Sequence, residues 1–253
     1  IVNPRQKVLK EYEQKNAVFK NWRELVFTSI PKPAITVDGT KVSVMANMEL
    51  VEEVPLAKYY GAEGIGLFRT ELLYGSREDL PSEDEQFELY KRIIQQITPN
   101  TAIIRTFDIG GDKLVGIFGH QTEANPFLGY RAIRIGLGKP EILKAQLRAI
   151  LRASIYGKAK IMFPMITLPD EMRQSRLIFD EVCCELKEKK IKFDETIEVG
   201  AMVEVPSAAI LSRELAIYCD FLSIGSNDLI QYTLAADRGN PRVAHIYQAY
   251  QPA

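Results

Sequence analysis

Short β-branched apolar runs alternate along this chain with longer amphipathic stretches, and a polar or charged residue closes most of the short runs. KVSVMAN, GIGLFR, AIIRTFD, KIMFPM, VGAMVEV and FLSIGS read as strands, near 42–47, 64–69, 101–107, 160–165, 198–205 and 221–226. Helical periodicity fills the intervals in FELYKRIIQQI, PEILKAQLRAILRASIYG, LPDEMRQSRLIFDEVCCELKEKK and SAAILSRELAIYC. The sharpest helix start is Ser82-Glu83-Asp84-Glu85, a capping box with Pro81 just outside it. Upstream, Val8, Tyr12, Phe19, Trp22 and Val26 form a helical stripe interrupted by Lys15 and stopped by Pro31 and Pro33. That helix either packs on the body of the domain or connects to an upstream domain. AITV and KVSV then flank Asp38-Gly39-Thr40, which predicts a hairpin.

Strands and helices in alternation predict parallel strands joined by right-handed crossovers. The expected fold is α/β, a TIM-type (βα)8 barrel of which about six βα units are present, where a closed barrel needs eight. Six strands leave two raw edges, so the sequence is expected to stop short of the complete domain. The competing architecture is an open doubly wound sheet, which requires a reversal in strand order. The expected organisation is a connector helix over residues 1–33 and a barrel domain over 34–253, incomplete at its C-terminal end.

Charged residues make up 26% of the 253 positions but sum to a net charge of -1, which gives no nucleic-acid footprint and no anionic-membrane anchor. No apolar run reaches the roughly 18 residues needed to span a bilayer, and the start shows no signal-peptide apolar region, so a cytoplasmic protein without membrane insertion is expected. Cys183, Cys184 and Cys219 lack zinc-ligand spacing and are expected to stay reduced.

The residues that close the strands carry the chemistry. Asn47, Arg69, Arg105, Asp108, Glu204 and Asn227-Asp228 all stand at predicted strand ends, and one rim of strand ends is where an α/β barrel builds its active site. Arg69 alone reads equally as a surface ion pair. Arg105 is followed by the Gly110-Gly111 bend and Lys113, which the bend can return over the mouth. Each charged hydrogen bond contributes about 1.5–3 kcal/mol, so Arg69, Arg105 and Lys113 together would grip a phosphate dianion. The alternative for Arg105 and Lys113 is a solvated basic turn. Glu204 ends an otherwise apolar strand, where a buried carboxylate needs a partner, and Asp228 after the next strand can join it on Mg²⁺. Asn227 and Asp228 also suit a helix cap before LIQYTLAAD. Arg238, in the turn after that helix, is within reach of the same rim. Arg131 in NPFLGYR reads as a structural cation, and His120 and His245 as surface or packing residues. Cys219 lies away from the rim, and no side chain is singled out as a catalytic nucleophile.

In this order GIGLFRTELL, RTFDIGGDK, NPFLGYRAIR, LRAILRAS, KIMFPM, VEVPSAA and IGSNDLIQYTLAADRGN resemble enzyme I of the bacterial phosphoenolpyruvate:sugar phosphotransferase system. The opening IVNP and the closing HIYQ fit too, so the resemblance runs the whole length. DIGGDK and VEVPSAA favour that family over its relatives pyruvate phosphate dikinase and phosphoenolpyruvate synthase. The resemblance implies a (βα)8 domain that binds phosphoenolpyruvate and Mg²⁺ and forms a homodimer. It places Arg69, Arg105 and Arg238 on the substrate phosphate with Lys113 nearby, makes Asn227 a further substrate contact, and makes Glu204 and Asp228 the metal ligands. In that family the phosphoryl group passes to a histidine on a separate N-terminal domain and then to the phosphocarrier protein HPr for sugar uptake. No matching histidine motif stands in this sequence, nor does the family's later cysteine in a Gly-x-Cys-Gly-Glu setting. Two other classes remain open: an interaction and dimerisation module without a competent site, and a Mg²⁺-dependent lyase or aldolase acting on a 2-oxo acid.

Overall fold

The computed structural model describes residues 4–27, 32–75, 79–110 and 123–252. It opens with helix α1 (Gln6–Phe27), whose apolar stripe stays in solvent: Tyr12, Phe19 and Trp22 are each more than half exposed. The packed-on-the-body alternative is therefore not realised. The hairpin forms as predicted, with β1 (Ala34–Ile35) antiparallel to β2 (Lys41–Val42) and Gly39 at φ 87° in the turn, where a side chain would be strained.

KVSVMAN does not make one strand. Lys41 and Val42 belong to the hairpin, but from Val44 onward the chain changes partner. The Val44 carbonyl accepts from Glu63 N–H at 2.8 Å, and Ala46 N–H donates to Gly64 at 2.9 Å. This begins β3 (Ala46–Met48), the first strand of a six-stranded parallel sheet. After α2 (Val54–Tyr59) come β4 (Ile65–Phe68), α3 (Glu83–Ile97), β5 (Ala102–Arg105), α4 (Ile133–Gly138), α5 (Pro140–Ala153) and β6 (Ala159–Phe163). Then α6 (Pro169–Glu188), β7 (Glu198–Val203), α7 (Pro206–Ile210), α8 (Ser212–Leu215), β8 (Phe221–Ile224) and α9 (Ser226–Leu234) complete the order.

The strands line up as β3-β4-β5-β6-β7-β8, each beside its neighbours in sequence. The order never reverses, which excludes the doubly wound alternative and is the winding of a barrel wall. Residues of the two edge strands, Asn47 of β3 and Ser223 of β8, line one common cleft, so the sheet is curled into a half-barrel. β6 and β7 are buried almost throughout, as parallel strands covered on both faces must be. Ile93, Ile94 and Ile97 of α3 and Leu147, Ile150 and Leu151 of α5 are inaccessible and pack in the core with Ile104 and Ile161 of the sheet.

The predicted capping box is present at α3: Ser82 Oγ accepts from Glu85 N–H at 3.2 Å and Glu85 Oε2 accepts from Ser82 N–H at 2.8 Å. SAAILSRELAIYC, read as one helix, is two, because Leu211 at ψ 21° leaves helical geometry between α7 and α8. Cys219 consequently lies in the turn leading into β8, opposite the strand ends that carry the charged residues. No helix among the described residues is long and apolar enough to cross a membrane.

A candidate anion and metal site at the strand ends

Register brings the strand ends level. Phe68 pairs with Ile104, Arg105 with Met162, Phe163 with Ala201 and Val203 with Ile224, so the residues just beyond them share one rim. They enclose a cleft of about 1180 Å³ whose wall includes Asn47, Arg69, Arg105, Glu204, Asp228 and Arg238.

One half of the wall is a framework of arginines held by carboxylates. Arg105, only 8% exposed, donates through Nη2 to Glu71 Oε1, while its Nη1 lies 3.2 Å from Asp108 Oδ2. Asp108 Oδ1 takes Nη2 of Arg131 at 2.7 Å, so one carboxylate orients two guanidiniums. Arg69 pairs with Glu49 at 2.5 Å in a more open position. Burial pushes the Glu71 carboxyl above its ordinary pKa against the pull of Arg105.

The other half is acidic. Glu204 is 1% exposed and its Oε1 accepts a 2.6 Å hydrogen bond from the Met165 N–H. Met165 has a φ of 55°, a left-handed conformation unusual for a side-chain-bearing residue, and that local strain accompanies an amide turned onto Glu204. Gly225 backs the same carboxylate. A Cβ there would stand 2.7 Å from Glu204 Oε2 and 2.7 Å from its Cβ, so only glycine allows β8 to pass this close. Oxygens of Asp108, Glu204 and Asp228 lie within 4.8 Å of one another. Burial, then repulsion from Asp108, raises the Glu204 carboxyl to about 8 despite nearby Arg105.

Asp228 stands in the first turn of α9, whose N-cap is Gly225 without a side-chain cap, so the capping alternative for Asn227 and Asp228 is not what the structure contains. Asp228 is instead buried in the cleft wall, with Arg238 Nη1 3.3 Å from its Oδ1 but no hydrogen bond to that oxygen. Both oxygens of Asp108 are engaged by arginines, which leaves Glu204 and Asp228 as the donors for a hard divalent cation. The donor chemistry fits: an ion there would offset the repulsion among three buried carboxylates.

Of the residues selected from the sequence, Arg69, Arg105, Glu204, Asn227, Asp228 and Arg238 all reach this cleft. Lys113 and His120 lie outside the described residues. Asn227 is exposed at the mouth, its carbonyl accepting from Tyr247 OH at 3.0 Å. Burial raises the Cys219 thiol to about 11, which suits its exclusion as a nucleophile. Two members of the site were not assigned from sequence. Glu71 sits two positions after Arg69 and could have been suspected as a counter-charge. Arg131, read as structural, does hold Asp108 but also lines the cleft, and its distance in sequence gave no sign of that.

A curled parallel sheet with arginines and paired carboxylates on its strand-end rim is an arrangement whose chemistry suits a phosphate-bearing ligand, since guanidiniums match phosphate oxygens and paired carboxylates suit a hard divalent cation. The chain belongs to the family described as PEP-utilising enzyme, PEP-binding domain, whose model matches residues 24–253. It is 48% identical over 257 residues to the phosphoenolpyruvate-protein phosphotransferase of Geobacillus stearothermophilus, covering 100% of this chain and 44% of that protein. The proteins of the same name from Haemophilus influenzae and Bacillus subtilis are 51% identical over 221 residues and 45% over 261 residues. Those alignments cover 87% and 100% of this chain, and 38% and 44% of the respective relatives. The chain thus spans less than half the length of these relatives. A solved citrate lyase from Burkholderia xenovorans aligns with a TM-score of 0.44 at 16% identity over 81% of this chain and 57% of its own. The fold assignment stands on strand order instead.

Proposed function

We propose that this chain is the phosphoenolpyruvate-binding part of a phosphoenolpyruvate-protein phosphotransferase of the enzyme I type. Residues 1–33 serve as the connector and 34–253 as the binding domain. Arg69, Arg105 and Arg238 hold the substrate phosphate, with Arg131 and Asn227 at the same wall and Lys113 as a further cation for it. Glu204 and Asp228 would hold Mg²⁺, which when bound would supply positive charge to offset the negative charge of the substrate. The arginines neutralise charge as the phosphoryl group departs, and the pairing of Arg105 and Arg131 with Asp108 fixes them beforehand, so little reorganisation is required. The phosphoryl group goes to a histidine on a separate N-terminal domain and from there to HPr, in a cytoplasmic homodimer that serves sugar uptake.

One observation carries this reading. Five buried side-chain polar atoms among the described residues lack a hydrogen-bond partner, and four of them, Glu71 Oε2, Arg105 Nε, Arg131 Nε and Asp228 Oδ1, belong to this wall. Buried polar atoms are otherwise almost always satisfied, so their concentration here marks groups kept for a ligand. Titration calorimetry of phosphoenolpyruvate with MgCl₂ tests it. The 253-residue chain should bind, and Glu204→Gln should bind at least about 30-fold more weakly, as loss of one member of a buried charged contact implies. Equal affinities would remove the metal assignment. No heat with the unmodified chain would favour an interaction module.

A further inference from the structure

Beneath the rim lies a buried polar cluster that the ligand wall does not itself use. Gln146, in the middle of α5, is wholly inaccessible, yet every polar atom of its side chain has a partner. Its Oε1 accepts from Phe107 N–H at 2.9 Å; its Nε2 donates to Thr70 Oγ1 at 3.3 Å and to Tyr90 OH at 2.9 Å. Thr70 Oγ1 in turn donates to the Arg105 carbonyl at 3.1 Å. These bonds close a loop: Arg105 carbonyl, Thr70 hydroxyl, Gln146 amide, Phe107 N–H.

The position of that loop gives it a role. The β4–β5 register ends at Phe68 and Ile104, so the segments beyond, where the ligand-facing side chains begin, have no further register pair between them. Thr70 lies between Arg69 and Glu71, and Phe107 lies between Arg105 and Asp108. Thr70 is 1% exposed and Phe107 3%, so water is poorly placed to replace these contacts.

We infer that Gln146 is a positioning residue for the anion-binding arginines, its side-chain amide setting the spacing between the segment that carries Arg69 and Glu71 and the segment that carries Arg105 and Asp108. It touches no ligand. It acts by completing the pairing of two backbones where the strand ladder stops, and the guanidiniums follow their backbones. This deepens the proposed phosphoenolpyruvate site and rests on it.

Three near-isosteric variants separate positioning from plain stability. Thr70→Val cuts the link between amide and β4 exit and, with it, the hydroxyl bond to the Arg105 carbonyl; Gln146→Met cuts both amide links and leaves that hydroxyl bond in place. Tyr90→Phe removes a partner of Gln146 on the helix side and leaves both rim links in place. Phosphoenolpyruvate affinity with MgCl₂ is measured by calorimetry at a temperature where each variant is fully folded by circular dichroism, and Tm is recorded separately. Thr70→Val and Gln146→Met should bind roughly tenfold more weakly, a small displacement of the binding groups being enough for that. Tyr90→Phe should lose Tm while holding affinity within about twofold of the unmodified chain. If affinity falls in step with Tm across all three, or stays level in Thr70→Val, the inference is overturned. If Gln146→Met does not fold, a level affinity in Thr70→Val still overturns the inference, and a loss in Thr70→Val that Tyr90→Phe does not share still supports the coupling of the two segments. Absence of binding by the unmodified chain overturns the site reading itself, a result distinct from binding that the variants leave unchanged.

Discussion

Two arginine–carboxylate clusters in this fold use the same side chains to opposite ends. On the helices, Arg148 donates to Glu83 Oε2 at 2.7 Å and to Glu185 Oε2 at 3.1 Å, while Arg152 reaches Glu83 Oε1 at 2.6 Å. Lys144 joins the same Glu185 at 3.5 Å. The cluster ties α3, α5 and α6 together, is partly open to solvent, and contributes none of the buried atoms that lack partners. On the rim, Arg105, Asp108 and Arg131 are 5–10% exposed at the side chain, and both arginines keep an unpartnered Nε. A cluster that serves the fold closes on itself. The rim cluster, which we propose serves a ligand, is left short of partners in a place where shortage is costly.

The contrast can be broken most sharply at Arg105. Arg105→Ala should lower phosphoenolpyruvate affinity at least about 30-fold by calorimetry. It should also cost about 3–5 kcal/mol in urea unfolding, because Glu71 and Asp108 lose a buried counter-charge. If affinity survives, the two clusters are alike and the site reading fails. Next in size is an opposite effect. The Glu204 carboxyl titrates near 8 in the fold against an ordinary value of 4.5, so between these values the folded chain holds a proton that the unfolded chain has released. Metal-free stability should therefore fall as pH rises from about 4.5 through 8. Glu204→Gln should remove that part of the decline and leave the metal-free chain about 1–3 kcal/mol more stable at pH 9, the very change that weakens ligand binding. A metal-free stability profile identical to that of the unmodified chain would sink this. The smallest effect belongs to the helices: Arg152→Ala should cost about 0–1 kcal/mol, less in high salt, with phosphoenolpyruvate affinity unchanged.

The strand ends were legible because a buried parallel strand reads as an apolar run, and a charge that terminates such a run has few places to go except the rim. That logic reached Arg69, Arg105, Glu204 and Asp228 directly. It did not reach Arg131, whose contact with Asp108 is tertiary and leaves no periodicity. Nor did it reach the division of KVSVMAN, since both halves are equally apolar and only the partner changes at Val44. The α1 stripe shows the complementary failure. Spacing tells which face of a helix is apolar, not whether anything covers it, and Tyr12, Phe19 and Trp22 stand in solvent.

Gly225 carries no functional group, yet it governs how near the last strand of the sheet can come to the acidic corner. With 2.7 Å between its missing Cβ and Glu204 Oε2, even one methyl group would have to move the carboxylate or spread β7 from β8. The acidic corner across that gap is thus gauged by an absence of atoms, and a change at this silent position would reshape it without altering a single carboxylate.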